Sequence, residues 1–526
     1  MNKTSKKKGG KIAAVIDIGS NMLKMSISQL KKGQITNLDR LEYPLHLGHE
    51  VFNNGTISFE SLRELSRILH GYSDIMVEYG IDQYKVVATT ALREARNKVY
   101  VTDQLKIQND MTVEILEDDQ EKTLIYSEIL DSLKDMERGK AATNTLITYI
   151  GTGSIGLAVF DGTSVVFSQN ISMGSLKLHD MLGNLQDEVE NFYTVVEEYL
   201  DAIINHIAIP LAHKTIDGLI LTGNEVDLIA KICKVKSTEG RYIIKTEQIQ
   251  SLFREIRVLT PEKISVKYSL TEESAEVLYS SVVIYAQLLR LAQCDYVLSP
   301  KIELWDALMR QMLLPKSKAE YDEHVRENAI SCAKVLATRY NCNKNHYEAI
   351  RAYACKIFDK MKSIHGLDRR KQLILELASI LHDCGYYINS KQHLLSTFSM
   401  IKHMDIYGMT DEEMLITAYI AKYNEYDTPN YDDIEFIHLN EEECLIVSKL
   451  VAIFRLANAL DKSQKQKFDD MKVKLEGNKL LITGESDKNL HLEKWAFEQS
   501  APFFKEVFGI TPELIIKSRM IEFRNL

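Results

Sequence analysis

Short apolar runs closed by clusters of turn formers recur along the N-terminal part of the chain. Ala13-Ala14-Val15-Ile16 predicts a buried strand, and Asp17-Ile18-Gly19-Ser20-Asn21 packs small polar residues into a turn. Leu23, Met25 and Ile27 alternate with Lys24, Ser26 and Ser28, so a returning strand follows at once. Ser58 is placed to cap a helix whose residues Leu62, Leu65, Ile68 and Leu69 recur at helical spacing. Lys85-Val86-Val87-Ala88-Thr89-Thr90 predicts a strand ending in hydroxyls, and Ala91-Leu92-Arg93-Glu94-Ala95 opens a helix. Val113-Glu114-Ile115-Leu116 is a further short strand. The acidic stretch Glu117-Asp118-Asp119-Gln120-Glu121 then leads into a helical run with Leu124, Ile125, Ile129 and Leu130.

The opening pattern comes back. Leu146–Ile150 reads as a strand, and Gly151-Thr152-Gly153-Ser154-Ile155-Gly156 satisfies G-x-G-x-x-G. A dinucleotide site needs a helix after that motif. Here Leu157-Ala158-Val159-Phe160 and Asp161-Gly162 predict a strand and a hairpin, which excludes it. From Gly19 to Gly151, a strand, a glycine turn and a returning strand have recurred about 130 residues on. Gly174-Ser175-Leu176-Lys177-Leu178 and Leu219–Glu225 continue the pattern, the second as a strand ending in Thr222-Gly223-Asn224 before a helix. A helix from Ser274 to Arg290 and a strand at Tyr296–Ser299 close this part.

Near Pro315 the periodicity becomes helical: Ala329, Ala333, Leu336 and Tyr340, then Ile350, Ala354, Ile357, Phe358 and Met361. Leu373–Leu381 is apolar all round, predicting a buried central helix that ends in His382-Asp383. At the C-terminal end Val473 and Leu475, Gly477-Asn478, then Leu480 and Ile482 predict a hairpin. A helix around Trp495 and a strand at Leu514–Ile516 complete a small α+β appendage.

Composition narrows the class. The 526 residues are 45% hydrophobic and 26% charged, as expected of several globular domains. No apolar stretch reaches the roughly 18 residues that span a bilayer. The first ten residues are basic without an apolar core, which predicts a disordered arm rather than a signal peptide. Seven cysteines, an odd number with no C-x-x-C pair, predict a reduced, cytoplasmic protein without a cysteine-based zinc site. A net charge of −10 argues against duplex DNA as a partner, yet leaves room for a small anion in a local groove.

Candidate chemistry gathers at the turns. A strand, a Gly-Ser-Asn turn and a returning strand leave backbone N–H groups in a concavity that suits phosphate oxygens. Asp17 at the strand end is placed to hold a divalent cation. The same five residues also suit an ordinary edge hairpin. Arg93 lies just past a strand end, where α/β crevices bind ligands, or is a solvated surface arginine. The carboxylates at 117–121 either compensate a helix dipole or include a general base. Two glycine turns facing across a cleft would hold a phosphate chain from both sides.

Paired loops of this kind resemble the actin-like, sugar-kinase and chaperone ATPase superfamily. More closely, VIDIGSN (15–21), VATTALREARN (87–97), MGSLKL (173–178) and LASILHDCGYYI (377–388) resemble the exopolyphosphatase / guanosine pentaphosphate phosphohydrolase (Ppx/GppA) family, from about residue 11 to 500. The resemblance implies an α/β chain of two actin-like (ribonuclease H-like) domains, 11–135 and 136–312. A helical HD-like domain, 313–468, and a small α+β domain, 469–526, would follow. It implies hydrolysis of a terminal phosphoanhydride in the cleft, with inorganic polyphosphate as substrate. Guanosine pentaphosphate is the alternative, and a weakly catalytic sensor of polyphosphate or guanosine tetraphosphate is the other reading. Asp17 is then the metal ligand, for Mg²⁺ or Mn²⁺, and Gly19, Ser20 and Asn21 form the first phosphate loop. Gly151, Thr152, Gly153 and Ser154 form the second, and Thr222, Gly223 and Asn224 the third cleft segment. Arg93 would grip the terminal phosphate and Glu121 would orient or deprotonate the attacking water. A homodimer would extend a channel for a long polyanion.

The sequence departs from the family in three places. Tyr149 stands where a metal-binding aspartate is usual, Gly156 replaces an acidic residue after the second loop, and Leu304-Trp305 replaces an arginine. In the helical domain His346, His382 and Asp383 keep the order of the HD metal residues. Asn458, in Ala457-Asn458-Ala459-Leu460-Asp461, stands where a further aspartate is expected.

Overall fold

The computed structural model describes residues 10–134, 144–183, 192–211, 215–425, 428–429 and 439–517. The expected arm (apart from Gly10) and the expected boundary at 135/136 lie outside the described residues. The chain divides by its contacts into Met1–Val325 and Arg326–Leu526, a division that falls within the helix Pro315–Arg339.

In the first unit β1 (Lys11–Ile18) is the strand predicted from its apolar run, and Ala13–Ile16 are wholly buried. It is central in its sheet, so both faces are covered and the sequence is apolar without alternation. It pairs antiparallel with β2 (Met22–Lys31), which pairs with β3 (Gln34–Pro44). On its other side β1 runs parallel to β4 (Tyr84–Ala88), and β4 to β5 (Val113–Ile115). Parallel pairing requires crossovers, supplied by the helices Leu47–Asn54 and Phe59–Glu78, then Thr90–Glu94 and Lys98–Asn109. Ser58 caps the second of these, accepting from the N–H of Ser61, as its hydroxyl predicts.

A second sheet repeats the first strand for strand. β6 (Thr145–Ile150), β7 (Ile155–Phe160) and β8 (Val165–Ile171) form the antiparallel trio. β9 (Gly218–Gly223) is parallel to β6, and β11 (Tyr296–Pro300) to β9, with β10 (Arg241–Lys245) added antiparallel at the edge. The orders β3-β2-β1-β4-β5 and β8-β7-β6-β9-β11 correspond. This duplicated mixed α/β arrangement is consistent with the actin-like expectation.

The second unit is helical, then α+β. Its helices include Lys344–His365, Arg369–Leu381 and Glu441–Ala459. Leu373–Leu381 is buried at every position, including Glu376, whose carboxylate is held by Arg326 and Arg351 at 2.8 Å. β12 (Asp470–Glu476) and β13 (Lys479–Glu485) form the predicted hairpin, and β14 (Thr511–Lys517) joins β13 in parallel after the helix His491–Phe508. All seven cysteines are free thiols. Among the described residues no helix is long and apolar enough to cross a membrane.

Candidate active site

The two glycine turns close identically. The N–H of Gly19 donates to Met22 O (3.0 Å) and that of Gly151 to Ser154 O (2.9 Å), each linking strands whose last pairs are Ile18–Leu23 and Ile150–Ile155. Those two amides are therefore spent inside the turns. Each turn is held from behind. Gly48 N donates to Ser20 O (2.7 Å), while Ser175 N donates to Gly151 O (3.1 Å) and Leu176 N and Lys177 N to Thr152 O (3.0 Å each). The last three belong to the start of the helix Ser175–Gly183, whose first N–H groups have no partner within the helix. Gly174–Leu178 is thus a helical buttress, not another turn-and-strand element. A Cβ on Gly174 would lie 2.3 Å from Gly151 O. Gly223, at φ +147° and packed on Ile150 O, is likewise open only to glycine.

The turns meet at a cavity of about 430 Å³. Asp17, Gly19, Ser20, Asn21, Glu121, Gly151, Thr152, Gly223 and Asn224 line it, joined by Thr89, Thr90, Tyr149 and Glu225. Gly153, Ser154, Thr222 and Arg93 are not on that lining. Gly153 is pressed against Thr90, where a Cβ would lie 2.1 Å from the threonine Cγ2. Thr222 turns its hydroxyl to Thr148 O (2.8 Å). Ser154 Oγ donates to Asp118 Oδ1 (2.7 Å).

Asp118 also engages Arg93. The guanidinium donates to Asp118 Oδ1 (2.9 Å), Leu116 O (2.7 Å), Thr90 Oγ1 (3.1 Å) and Glu121 Oε2 (3.4 Å). Lys122 pairs with the other oxygen of Asp118. Burial pushes the Asp118 carboxyl up, but Lys122 and Arg93 outweigh it and leave it below the usual range. In this arrangement Arg93 is committed to carboxylates and holds Glu121 in place. Glu121, 6% exposed in the first turn of the helix Asp118–Lys134, is pushed up by burial against the pull of Arg93.

Acid dominates the lining: Asp17, Glu42, Glu121, Glu225, Asp227, Glu303 and Asp306 stand against Lys24, Arg40 and Lys301. Lys24 is itself paired with Glu303 at 2.9 Å. Burial, reinforced by Glu121 and Glu303 against the pull of Lys24, lifts Asp17 to about 7. Burial also lifts Glu225 to about 7, although Ser281 donates to it at 3.2 Å. Asp17 Oδ1 has no hydrogen-bond partner, and neither has Ser20 Oγ, in a residue 2% exposed. A buried carboxylate oxygen left without a donor fits a hard divalent cation with oxygen ligands. Asp17 is the residue that would hold it.

The departures now have physical form. Tyr149 lines the cavity, its hydroxyl kept protonated by burial and by Glu121, Asp17, Glu303 and Glu225. A Cβ on Gly156 would lie 2.2 Å from Tyr126 Oη and 2.4 Å from Lys122 Cδ, so an acidic side chain there would have to displace both. Trp305 is buried, with the cations of Lys24 and Arg40 at 5.3 and 4.9 Å from its ring. Sequence reasoning passed over Glu225, although it directly follows Thr222-Gly223-Asn224. It also left Asp118 within the acidic run without a role of its own.

In the second unit His346, His382 and Asp383 come together, with one ligand atom from each within 4.8 Å of the others. The carboxylate that meets His346 is Asp461 (2.8 Å to Nδ1), three residues beyond Asn458.

The family model for Ppx/GppA phosphatases matches residues 26–299, and that for Ppx/GppA phosphatase, domain III, matches residues 325–500. Among solved structures, an exopolyphosphatase from Cytophaga hutchinsonii is 17% identical with a TM-score of 0.50, covering 58% of this chain and 98% of its own. The Ppx/GppA family member from Aquifex aeolicus is 20% identical with a TM-score of 0.47, covering 58% of this chain and 98% of its own. With the family model spanning more than half of its length, the chain belongs to the Ppx/GppA phosphatase family.

Proposed function

We propose that the cleft hydrolyses a terminal phosphoanhydride, releasing orthophosphate from the end of an inorganic polyphosphate, with guanosine pentaphosphate as the alternative substrate. The observation that carries this reading is the meeting of two identically closed glycine turns, Asp17 and Glu121 at one cavity. Phosphoryl transfer asks a protein mainly for positioning and charge stabilisation. The turns and Thr90 border the space for the terminal phosphate. Ser20 Oγ, buried without a partner, is free to donate to one of its oxygens. Glu121, held by Arg93, orients water and takes its proton, and its raised proton affinity strengthens it as that base. Bound Mg²⁺ or Mn²⁺, held by Asp17 and by substrate oxygens, would compensate charge on the departing phosphate. Because the lining is acid-rich, the cleft takes a substrate end loaded with cations, so turnover depends steeply on Mg²⁺.

The test is orthophosphate release from each substrate across a Mg²⁺ titration. Release that rises with Mg²⁺ supports the reading, and no release from either substrate removes it. A second reading, a polyphosphate or guanosine tetraphosphate sensor with little turnover, is favoured by Tyr149 and Gly156 at positions that carry carboxylates in the family. Calorimetric binding without phosphate release would select it.

A further inference from the structure

We propose that Arg40, displayed over the ring of Trp305, grips an internal phosphate of a polyphosphate whose end lies at the two turns. This grip rests on the cleft's taking a polyphosphate end, and it makes the site selective for longer chains.

Among the described residues three cations line the cavity: Lys24, Arg40 and Lys301. Two are spent on carboxylates, Lys24 on Glu303 at 2.9 Å and Lys301 on Asp227 at 3.0 Å. Arg40 is not. The carboxylate nearest to it, Asp306, is 3.7 Å away, beyond a hydrogen bond, and accepts instead from the backbone N–H of Glu303 at 3.0 Å. Among the described residues the Arg40 side chain donates no hydrogen bond, so the N–H groups of its guanidinium are left for a ligand.

An aromatic face holds the charge in place. Arg40 Cζ lies 4.9 Å from the centre of the Trp305 ring, and Lys24 Nζ lies 5.3 Å from it. A guanidinium over an indole is attracted by the negative face of the ring, and that attraction uses none of its hydrogen-bond donors. Trp305 is itself fixed, buried at the start of the helix Leu304–Leu313, which packs against β1 and β2. A planar fork so displayed suits two oxygens of one phosphate. The sequence departure that removes an arginine at 304–305 therefore supplies the platform for another.

The register of the sheet sets which phosphate it meets. Arg40 and Glu42 alternate onto the cavity face of β3, with Lys24 across from Glu42, while Tyr43 turns the other way to Glu64. Pro44 pairs with Met22 at the edge of the first turn, and Arg40 lies four residues further along the strand. At the rise of a strand that is about 13 Å. An anion so far from the turns is a later phosphate of the chain, not the one being released.

The test compares long-chain polyphosphate with tripolyphosphate, both with Mg²⁺. Binding is measured by calorimetry in a Glu121→Gln background, which spares the ligand, and orthophosphate release in the parent chain. Arg40→Ala is expected to weaken the long chain by about tenfold and to leave tripolyphosphate unchanged. In turnover the loss falls on KM for the long chain, with kcat kept. Arg63→Ala removes an exposed arginine from the helix Phe59–Glu78 and controls for lost charge, with no change expected. Trp305→Leu, its fold checked by circular dichroism, is expected to weaken the long chain alone but to add nothing to Arg40→Ala, because the ring acts through the guanidinium. Arg40→Ala decides by itself: unchanged long-chain affinity, or an equal loss for tripolyphosphate or in Arg63→Ala, overturns the proposal. Long-chain binding that depends on Arg40 without any phosphate release keeps the grip and removes the hydrolase reading. A chain that binds neither ligand overturns both.

Discussion

Replacing Asp17 by asparagine is expected to stabilise the metal-free protein, by an amount that depends on pH. Burial lifts this carboxyl from 3.8 to about 7, with Glu121 and Glu303 adding to it. The folded chain therefore keeps a proton that the unfolded chain releases between those values. Wild-type stability falls as pH rises through that window and levels off above pH 7. Proton affinity raised by roughly three decades corresponds to about 4 kcal/mol, an upper limit for what asparagine recovers above pH 7. Below 3.8 the carboxyl is protonated in the folded and unfolded chains alike and the gain vanishes. The assay is urea unfolding of both proteins from pH 4.5 to 8, followed in the first transition, with and without Mg²⁺. Mg²⁺ should raise the wild type and leave the variant unmoved. A variant no more stable than wild type at pH 8, or a gain that does not change with pH, would refute the reasoning.

Other substitutions test the neighbouring contacts. Gly156→Ala drives a methyl group into Tyr126 Oη and Lys122 Cδ and should cost about 1–3 kcal/mol in unfolding experiments. Arg93→Ala strips Asp118 and Glu121 of their shared partner, so both phosphate release and melting temperature should fall. Arg93→Lys should recover little of either, because a lysine cannot reproduce the forked contacts. Gly174→Ala pushes into the carbonyl of Gly151 and should lower phosphate affinity through the second turn, as read by calorimetry.

What the sequence made legible was local. The runs at 13–16 and 146–150 announce central strands because a strand buried on both faces needs no alternation. The two turns were visible through their glycines and the strands on either side, and their equal closure follows from equal spacing. The acidic opening of its helix left the base open among residues 117–121, and only the family resemblance singled out Glu121. Side-chain commitments over long separations were not visible. Arg93 meets Asp118 only because β4 and β5 run parallel, and nothing local says that this pairing outcompetes an open cleft. Gly174 looked like another turn because its partner is a carbonyl more than twenty residues away. Asn458 drew attention over Asp461 because spacing along a helix end does not show which side chain faces His346.

The central claim is that Glu121 activates water against a phosphate held by the two turns. The direct measurement compares orthophosphate release by wild type and Glu121→Gln from polyphosphate at saturating Mg²⁺, with binding of a non-hydrolysable analogue measured alongside. Turnover is expected to fall by about 10²–10⁴ while binding persists, since glutamine keeps the shape and loses the base. Release undiminished in Glu121→Gln would contradict the account.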